Sequence, residues 1–350
     1  MAAELKRRDY LRVATEEAWG PPEMFEGYRK LLAKKSLDDP GFNSLCGFYL
    51  GSSSERARST VRRLQDIGAE RIADMDASGI DVQVLSLTSP GVQVFDAATA
   101  NALATSSNDQ LAEAIRKYPK RFIGLAAAAP QDPPAAAREI ERAVRKLGLK
   151  GVILNSHTHH EYLDDPKYWV IFEACESLNV PIYLHPNSPS KGLIAPLLEA
   201  GLDGAIYGFA VETGMHMLRI IVKGIFDRFP KLQFVLGHCG EALPFWVFRI
   251  NYMHRAGLAS KRYDFLPQLK KQPGDYLREN VTVTNSGVAS EPPIMLCHQV
   301  MGADRVMYAM DYPYQYVPEE VAICDALPMT ALDKRRYFQL NAERVFNFSA

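Results

Sequence analysis

The chain has 350 residues, 47% of them hydrophobic and 23% charged, with a formal net charge of −1. This is ordinary material for a soluble globular protein with one large core. It offers no cationic surface to a polyanion, and no apolar stretch approaches the ~20 residues that span a bilayer. The start, Met-Ala-Ala-Glu-Leu-Lys-Arg-Arg, is polar with no signal-peptide core behind it, so the expectation is a cytoplasmic protein with neither nucleic acid nor membrane as partner.

Strand-like apolar runs alternate with longer amphipathic segments. The first run, Leu11-Arg-Val-Ala-Thr15, ends at Glu16 and is followed by an irregular polar stretch to about Ser54. Residues 59–78 read as a helix with Val61, Leu64, Ile72 and Met75 on one side, stopped by Gly79. A strand over 82–87 ends at Thr88-Ser89-Pro90-Gly91, 97–118 is helical up to Pro119, 122–126 is the third strand, and Pro133-Pro134 opens a helix to Leu147. Further strands fall at 152–154, 180–184, 232–237, 281–284 and 306–310, with helices at 168–178 and through 213–229. Eight strands alternating with helices force parallel pairing and right-handed crossovers, hence a (β/α)8 TIM barrel. No Pro/Gly/Ser linker, repeat or low-complexity segment divides it, so residues 1–350 are expected to form one domain. The loops after the first and sixth strands look longest, and long βα loops carry substrate contacts.

In a closed parallel barrel the strand C-terminal ends meet at one mouth. Glu16, His185, His238 and Asp311 each follow directly on an apolar run. Singly, each is as well explained by a helix cap or an ion pair; together they suggest a divalent-metal site. Metal-hydrolase barrels often place His-x-His after strand one, but here the position reads Glu16-Glu17-Ala18, and strand four ends at Leu154-Asn155 with no bridging Lys or Glu. One metal is therefore expected, with Glu16, His185 and Asp311 as protein ligands and positions left open for substrate or water. His238, in Gly-His-Cys-Gly-Glu, fits either a fourth ligand or an uncoordinated acid/base, the latter preferred, with Glu241 available to orient it.

Asn155-Ser-His157-Thr-His159-His160 is His-rich but lies in a loop, where adjacent rings would point apart; His157 is the best of the three for a substrate contact. His216, His254 and His298 fall in helical stretches and read as structural. The cysteines at 46, 175, 239, 297 and 324 form no CxxC pair and read as reduced thiols, with Cys239 a packing residue rather than a nucleophile. Arg56 precedes the first long helix. Arg249 sits among aromatics in Phe-Trp-Val-Phe-Arg-Ile-Asn, where a charge should have a partner, whether a substrate carboxylate or an acid of a neighbouring subunit. Asp311-Tyr-Pro-Tyr314-Gln-Tyr316 adds aromatic edges and hydroxyls that suit an aromatic ring, or simply a core.

Longer words narrow the reading. Tyr-Leu-Arg-Val-Ala-Thr-Glu-Glu-Ala (10–18), Ser-Glu-Arg-Ala (54–57), Arg-Ile-Ala-Asp-Met-Asp-Ala-Ser-Gly-Ile-Asp (71–81), Gly-His-Cys-Gly-Glu-Ala-Leu-Pro (237–244) and Met-Tyr-Ala-Met-Asp-Tyr-Pro-Tyr-Gln-Tyr (307–316) resemble the amidohydrolase superfamily, in its branch of metal-dependent, non-oxidative aromatic-acid decarboxylases. The resemblance implies Glu16, His185 and Asp311 as ligands of one divalent ion, Mn2+ favoured and Zn2+ the alternative. It implies His238 and Asp311 as catalytic residues, and Arg56, Tyr314 and His185 as contacts to a small aromatic carboxylate. Arg249 matches an Arg that reaches into a neighbouring subunit's site, which makes a homo-oligomer, dimer or tetramer, the expected state.

The substrate so implied is a benzoate with a hydroxyl ortho to its carboxylate. Losing CO2 directly would leave an aryl carbanion; protonating the ring carbon first avoids it. Asp311 is the best acid, with His238 helping to set its proton. Two rivals stand beside this reading: a hydratase or hydrolase using metal-bound water, and a non-catalytic metal-binding barrel.

Overall fold

A computed structural model describes residues 8–35 and 37–349. Its strands are β1 (Val13–Trp19), β2 (Val82–Leu87), β3 (Phe122–Gly124), β4 (Ala126–Ala127), β5 (Val152–Asn155), β6 (Ile182–His185), β7 (Phe234–Leu236), β8 (Val281–Thr284) and β9 (Val306–Met307). All pairings are parallel, in the orders β1-β2-β3 and β4-β5-β6-β7-β8-β9. The third strand expected from the sequence is broken at Leu125. Leu125 N–H bonds to Leu85 O on one side, and Ala126 N–H to Gly151 O on the other, so β3 and β4 are halves of one stave. At the remaining seam Thr15 N–H donates to Tyr308 O at 3.1 Å and Ala18 N–H to Tyr312 O at 2.7 Å. These bonds close the eight-stave barrel.

The staves are mostly apolar and, Ile123 apart, buried along their whole length, as strands must be when packed on side chains inside and on helices outside. Ile182, Leu184, Phe234, Leu236, Val281 and Val283 are all inaccessible to solvent.

Three local readings change. The stretch to Ser54, expected to be irregular, contains helices Pro22–Lys34 and Pro40–Gly51. Each opens with proline, which suits the first helical turn because its missing N–H would be unpaired there anyway. Asp39 caps the second by accepting from Phe42 N–H at 2.9 Å, and Met24, Phe25, Tyr28 and Phe42 are buried. The helix expected over 59–78 is two, Glu55–Gln65 and Ala69–Ser78. Asp66 splits it, because its Oδ1 accepts from Gly68 N–H and Arg71 N–H and so restarts the chain. The eighth strand is shorter than 306–310, with ladder pairing only at Val306 and Met307. Among the described residues no helix is long and apolar enough to cross a membrane.

Candidate active site at the barrel mouth

The first donor is aimed by an irregularity in β1. Its register against β2 slips between Ala14 and Glu17, so one extra residue enters at Thr15-Glu16. Such bulges re-aim side chains. Glu16 therefore lies inside the strand rather than after it, with its carboxylate buried under the mouth.

Glu16 Oε2 accepts from Tyr183 OH and, at 3.3 Å, from Thr284 Oγ1. Its Oε1 is buried and makes no hydrogen bond, yet lies 3.3 Å from His185 Nε2 and 3.5 Å from His238 Nε2. The other ring nitrogens are committed. His185 Nδ1 is 2.8 Å from Pro186 O, and His238 Nδ1 is 2.8 Å from Glu241 Oε1. In the neutral rings the Nδ1 proton faces these acceptors and the unprotonated Nε2 faces Glu16 Oε1. That is the carboxylate- or carbonyl-backed imidazole of metal sites.

Two donors each about 2.1 Å from one ion stand roughly 3.0–3.4 Å apart. The 3.3 Å spacing between Glu16 Oε1 and His185 Nε2, and the lack of a hydrogen-bond partner on that oxygen, fit such an ion. Among the described residues no group of three His, Cys, Asp or Glu side chains is spaced to hold an ion as it stands, so the third donor would have to close in on the ion.

The charges are mutually dependent. Burial pushes Glu16 up, but the positive charge of His238 and the contact with His185 outweigh it and pull the carboxyl down to about 2. Burial lowers His238, yet Glu241 and Glu16 overcome that and hold the ring up to about 10. Burial and the negative charge of Glu16 push Asp311 up to about 7, against the pull of His238 and His185. Of the two carboxyls, Asp311 is thus the one that burial and the charge of Glu16 drive toward the protonated form.

Two glycines make the arrangement possible. A Cβ at Gly237 would fall 2.5 Å from Glu16 Oε2, and one at Gly287, where φ is +62°, would fall 3.4 Å from Asp311 Oδ2. His238, Cys239, Gly240, Glu241 and Ala242 form a left-handed turn, with φ of 50°, 55°, 69°, 50° and 60°. The sequence suggested that Glu241 would orient His238 from one helical turn on; it does contact His238, but through this turn. Non-glycine residues in such a conformation cost about 1–2 kcal/mol each, and strain of this kind gathers at functional sites. Cys239 is buried, and its contact with Cys297, together with burial, holds its thiol far above the ordinary range, as befits a packing residue. All five cysteines are free.

Above these donors opens a cavity of about 360 Å3, lined by Ser44, Phe48, Tyr49, Arg56, Ser89, His185, Asp203, Ile206, Phe209, His238, Asp311, Tyr314 and Gln315 among others. Its volume lies within the range of small-molecule sites. A larger groove of about 760 Å3, beside Asp76, Asp81 and Arg121, lies at the opposite ends of the strands and holds no comparable donor set. Tyr314 OH is 2.6 Å from Thr88 Oγ1, and its ring stands edge-on to Tyr49 at 5.4 Å. Arg56 is exposed at the rim with no ion pair among the described residues.

The structure therefore brings together Glu16, His185, His238, Asp311, Tyr314 and Arg56. It does not bring His157 or Arg249 to the cavity of their own chain. His157 Nε2 donates to Ser188 O at 3.0 Å and its Nδ1 accepts from His160 N–H, while His160 Nδ1 accepts from Lys191 N–H. These rings tie loops together. Arg249 is exposed on helix Leu243–Ala259 and has no ion pair among the described residues, although its aromatic surroundings suggested a partner. Tyr183 and Thr284 were missed. Tyr183 lies two residues before His185 on one strand, hence on the same face, and period-two reading finds it. No residue of 201–209 was singled out as a contact either; this loop follows β6, the fifth of the eight staves, and not the first or sixth.

Residues 37–348 match the family model described as amidohydrolase. The chain belongs to the amidohydrolase family. Gamma-resorcylate decarboxylase of Polaromonas sp. is 34% identical to it over 296 residues, covering 82% of this chain and 89% of that one. The 5-carboxyvanillate decarboxylase of Novosphingobium aromaticivorans, solved with manganese and 4-hydroxy-3-methoxy-5-nitrobenzoic acid, superposes with a TM-score of 0.95 at 54% identity over 97% of each chain. A 5-carboxyvanillate decarboxylase from Sphingomonas paucimobilis gives a TM-score of 0.91 at 38% identity, covering 97% of this chain and 100% of the other. This amidohydrolase thus stands among the aromatic-acid decarboxylases, the branch its sequence resembles.

Proposed function

We propose that this amidohydrolase removes CO2 from an ortho-hydroxybenzoate without oxidation, with 5-carboxyvanillate the favoured substrate and vanillate the product. The observation that carries the reading is the unpartnered Oε1 of Glu16 between two backed imidazoles, in a chain 54% identical to a 5-carboxyvanillate decarboxylase. Manganese is the favoured ion, zinc the alternative, with one ion per chain held by Glu16, His185 and Asp311. When bound, such an ion supplies positive charge to the phenolic and carboxylate oxygens of the substrate.

The chain's own groups do the rest. Asp311, protonated, delivers its proton to the ring carbon that bears the carboxylate. The ring carbon becomes tetrahedral and positively conjugated, the C–C bond breaks, and its electron pair restores the aromatic ring as CO2 leaves. Asp311 is left as carboxylate. His238, held by Glu241 and close to Asp311, stabilises that charge and favours reprotonation. Arg56 at the rim attracts the anionic substrate, and Tyr314 and Tyr49 face the ring. His185 serves both as ligand and as cavity wall.

Arg249 acts from a neighbouring subunit. The face that carries it exposes Phe245, Trp246, Phe248, Tyr252 and Met253, with Phe248 82% exposed. Apolar exposure of this extent marks an interface, and a homo-oligomer buries it.

The test is an incubation of the manganese-loaded protein with 5-carboxyvanillate and other ortho-hydroxybenzoates, gamma-resorcylate among them, followed by ultraviolet absorbance and CO2 release. Turnover of 5-carboxyvanillate above the others supports the reading. Preference for gamma-resorcylate, the substrate named for relatives at 34% identity, moves the assignment within the class; no turnover of any removes it.

A further inference from the structure

Behind Asp311 lies a second buried carboxylate that the chemistry above does not use. Glu17 is inaccessible to solvent. Its Oε1 accepts from Met310 N–H at 3.0 Å and its Oε2 from Tyr312 N–H at 3.2 Å. These are the backbone groups on either side of Asp311, whose own φ is +70°. A non-glycine residue keeps such a conformation only when its surroundings over-determine it. Glu17 grips the chain at both flanks, and Ala18 N–H adds a bond to Tyr312 O at 2.7 Å.

Glu17 is itself held. Gln83 Nε2 donates to its Oε2 at 3.4 Å, and Arg71 Nη1 donates to Gln83 Oε1 at 3.2 Å, which fixes which end of the amide faces Glu17. Arg71 is equally inaccessible. It donates to Ala18 O at 2.7 Å, and its guanidinium lies 4.6 Å from the Tyr312 ring centroid. The result is a continuous buried chain from Arg71 through Gln83 and Glu17 to the two peptide N–H groups that flank Asp311. No other described acceptor serves those two N–H groups.

We propose that Glu17, oriented by Gln83 and Arg71, is a positioning residue that fixes the backbone of Asp311 and so aims its carboxyl at the ring carbon and the ion. This rests on the role given to Asp311 above. Glu17 touches neither substrate nor ion; it acts through the peptide groups at 310 and 312.

Glu17→Gln is the direct probe. The amide keeps an oxygen for one N–H and turns an –NH2 against the other. A displacement of about 1 Å at a reacting group lowers turnover roughly 100-fold, so kcat should fall by about that factor while KM changes little. Manganese affinity of the stripped protein, read from the electron paramagnetic resonance of free Mn2+, should fall by about 10–100-fold, as for other outer-shell supports.

The discriminating measurement is the cycle with Asp311→Asn. If Glu17 acts through Asp311, Glu17→Gln adds almost nothing to that variant; an independent structural role adds the full factor again. Full additivity, or unchanged kcat and manganese affinity in Glu17→Gln, overturns the proposal. Should Glu17→Gln fail to fold, Gln83→Met removes the amide donor to Glu17 and should give a smaller loss with the same non-additivity; additivity there also overturns it. If Asp311→Asn itself turns over normally, the acid role of Asp311 fails, and the brace is judged on the manganese affinity of Glu17→Gln, where no change overturns it.

Discussion

Glu16 turns one carboxylate oxygen to Tyr183 and leaves the other without a hydrogen bond, 3.3 Å from His185 Nε2. A buried carboxylate oxygen is seldom left so. The Tyr183 contact commits Oε2 and thereby directs Oε1 at the imidazoles. Tyr183→Phe should lower manganese affinity by about 10–100-fold, as loss of an outer-shell support does, while the barrel stays folded. Titration of the stripped protein with Mn2+ checks this; wild-type affinity would show that Tyr183 does not orient Glu16.

Gly237→Ala tests the same carboxylate from behind. Its Cβ would stand 2.5 Å from Glu16 Oε2, and Glu16 cannot retreat without losing Tyr183 and Thr284. Elemental analysis should find well under one metal per chain, against one in the wild type, with circular dichroism unchanged. Two metals in the wild type would contradict the single-ion reading.

His216 gives stability a pH dependence remote from catalysis. It is fully buried; its Nε2 accepts from Leu163 N–H at 3.0 Å and its Nδ1 lies 3.1 Å from Ser156 Oγ. Burial, then the charges of His157 and Arg219, pull it down to about 3. The unfolded chain takes up that proton near pH 6.5, the folded one only near 3, so stability is full above about 6.5 and declines as pH falls toward 3. At pH 5 the loss is about 2 kcal/mol. Urea unfolding at pH 7 and pH 5 should show a difference that shrinks by about that amount in His216→Gln. An unaltered difference would count against this origin.

Arg249 is tested by complementation. Inactive Arg249→Ala and inactive Asp311→Asn subunits, mixed and allowed to exchange, should regain activity, because a mixed dimer contains one site with both residues intact. Proven exchange without recovery would return Arg249 to the surface of its own chain.

The sequence revealed the mouth better than its supports. Donors at strand ends are legible because parallel staves place every C-terminal end on one rim, and that brought His185, His238 and Asp311 into view. The bulge that turns Glu16 inward is not legible, since a one-residue slip leaves no trace in an apolar run. The left-handed turn from His238 to Ala242 runs against the handedness that L-residues prefer, so Glu241 reads as part of an ordinary helix. The stretch to Ser54 reads as irregular, although Pro22 and Pro40 open helices within it. His157, His159 and His160 drew notice by composition, but two of the rings are occupied by backbone groups.

The most direct test of the central claim is the turnover of Asp311→Asn on 5-carboxyvanillate with manganese bound. The carboxamide still presents an oxygen to the ion but carries no transferable proton at neutral pH. The prediction is a loss of at least about 1,000-fold in kcat, alongside wild-type product that in D2O carries deuterium only at the carbon that lost CO2. Near-wild-type turnover by Asp311→Asn would contradict the assignment and move the acid to His238.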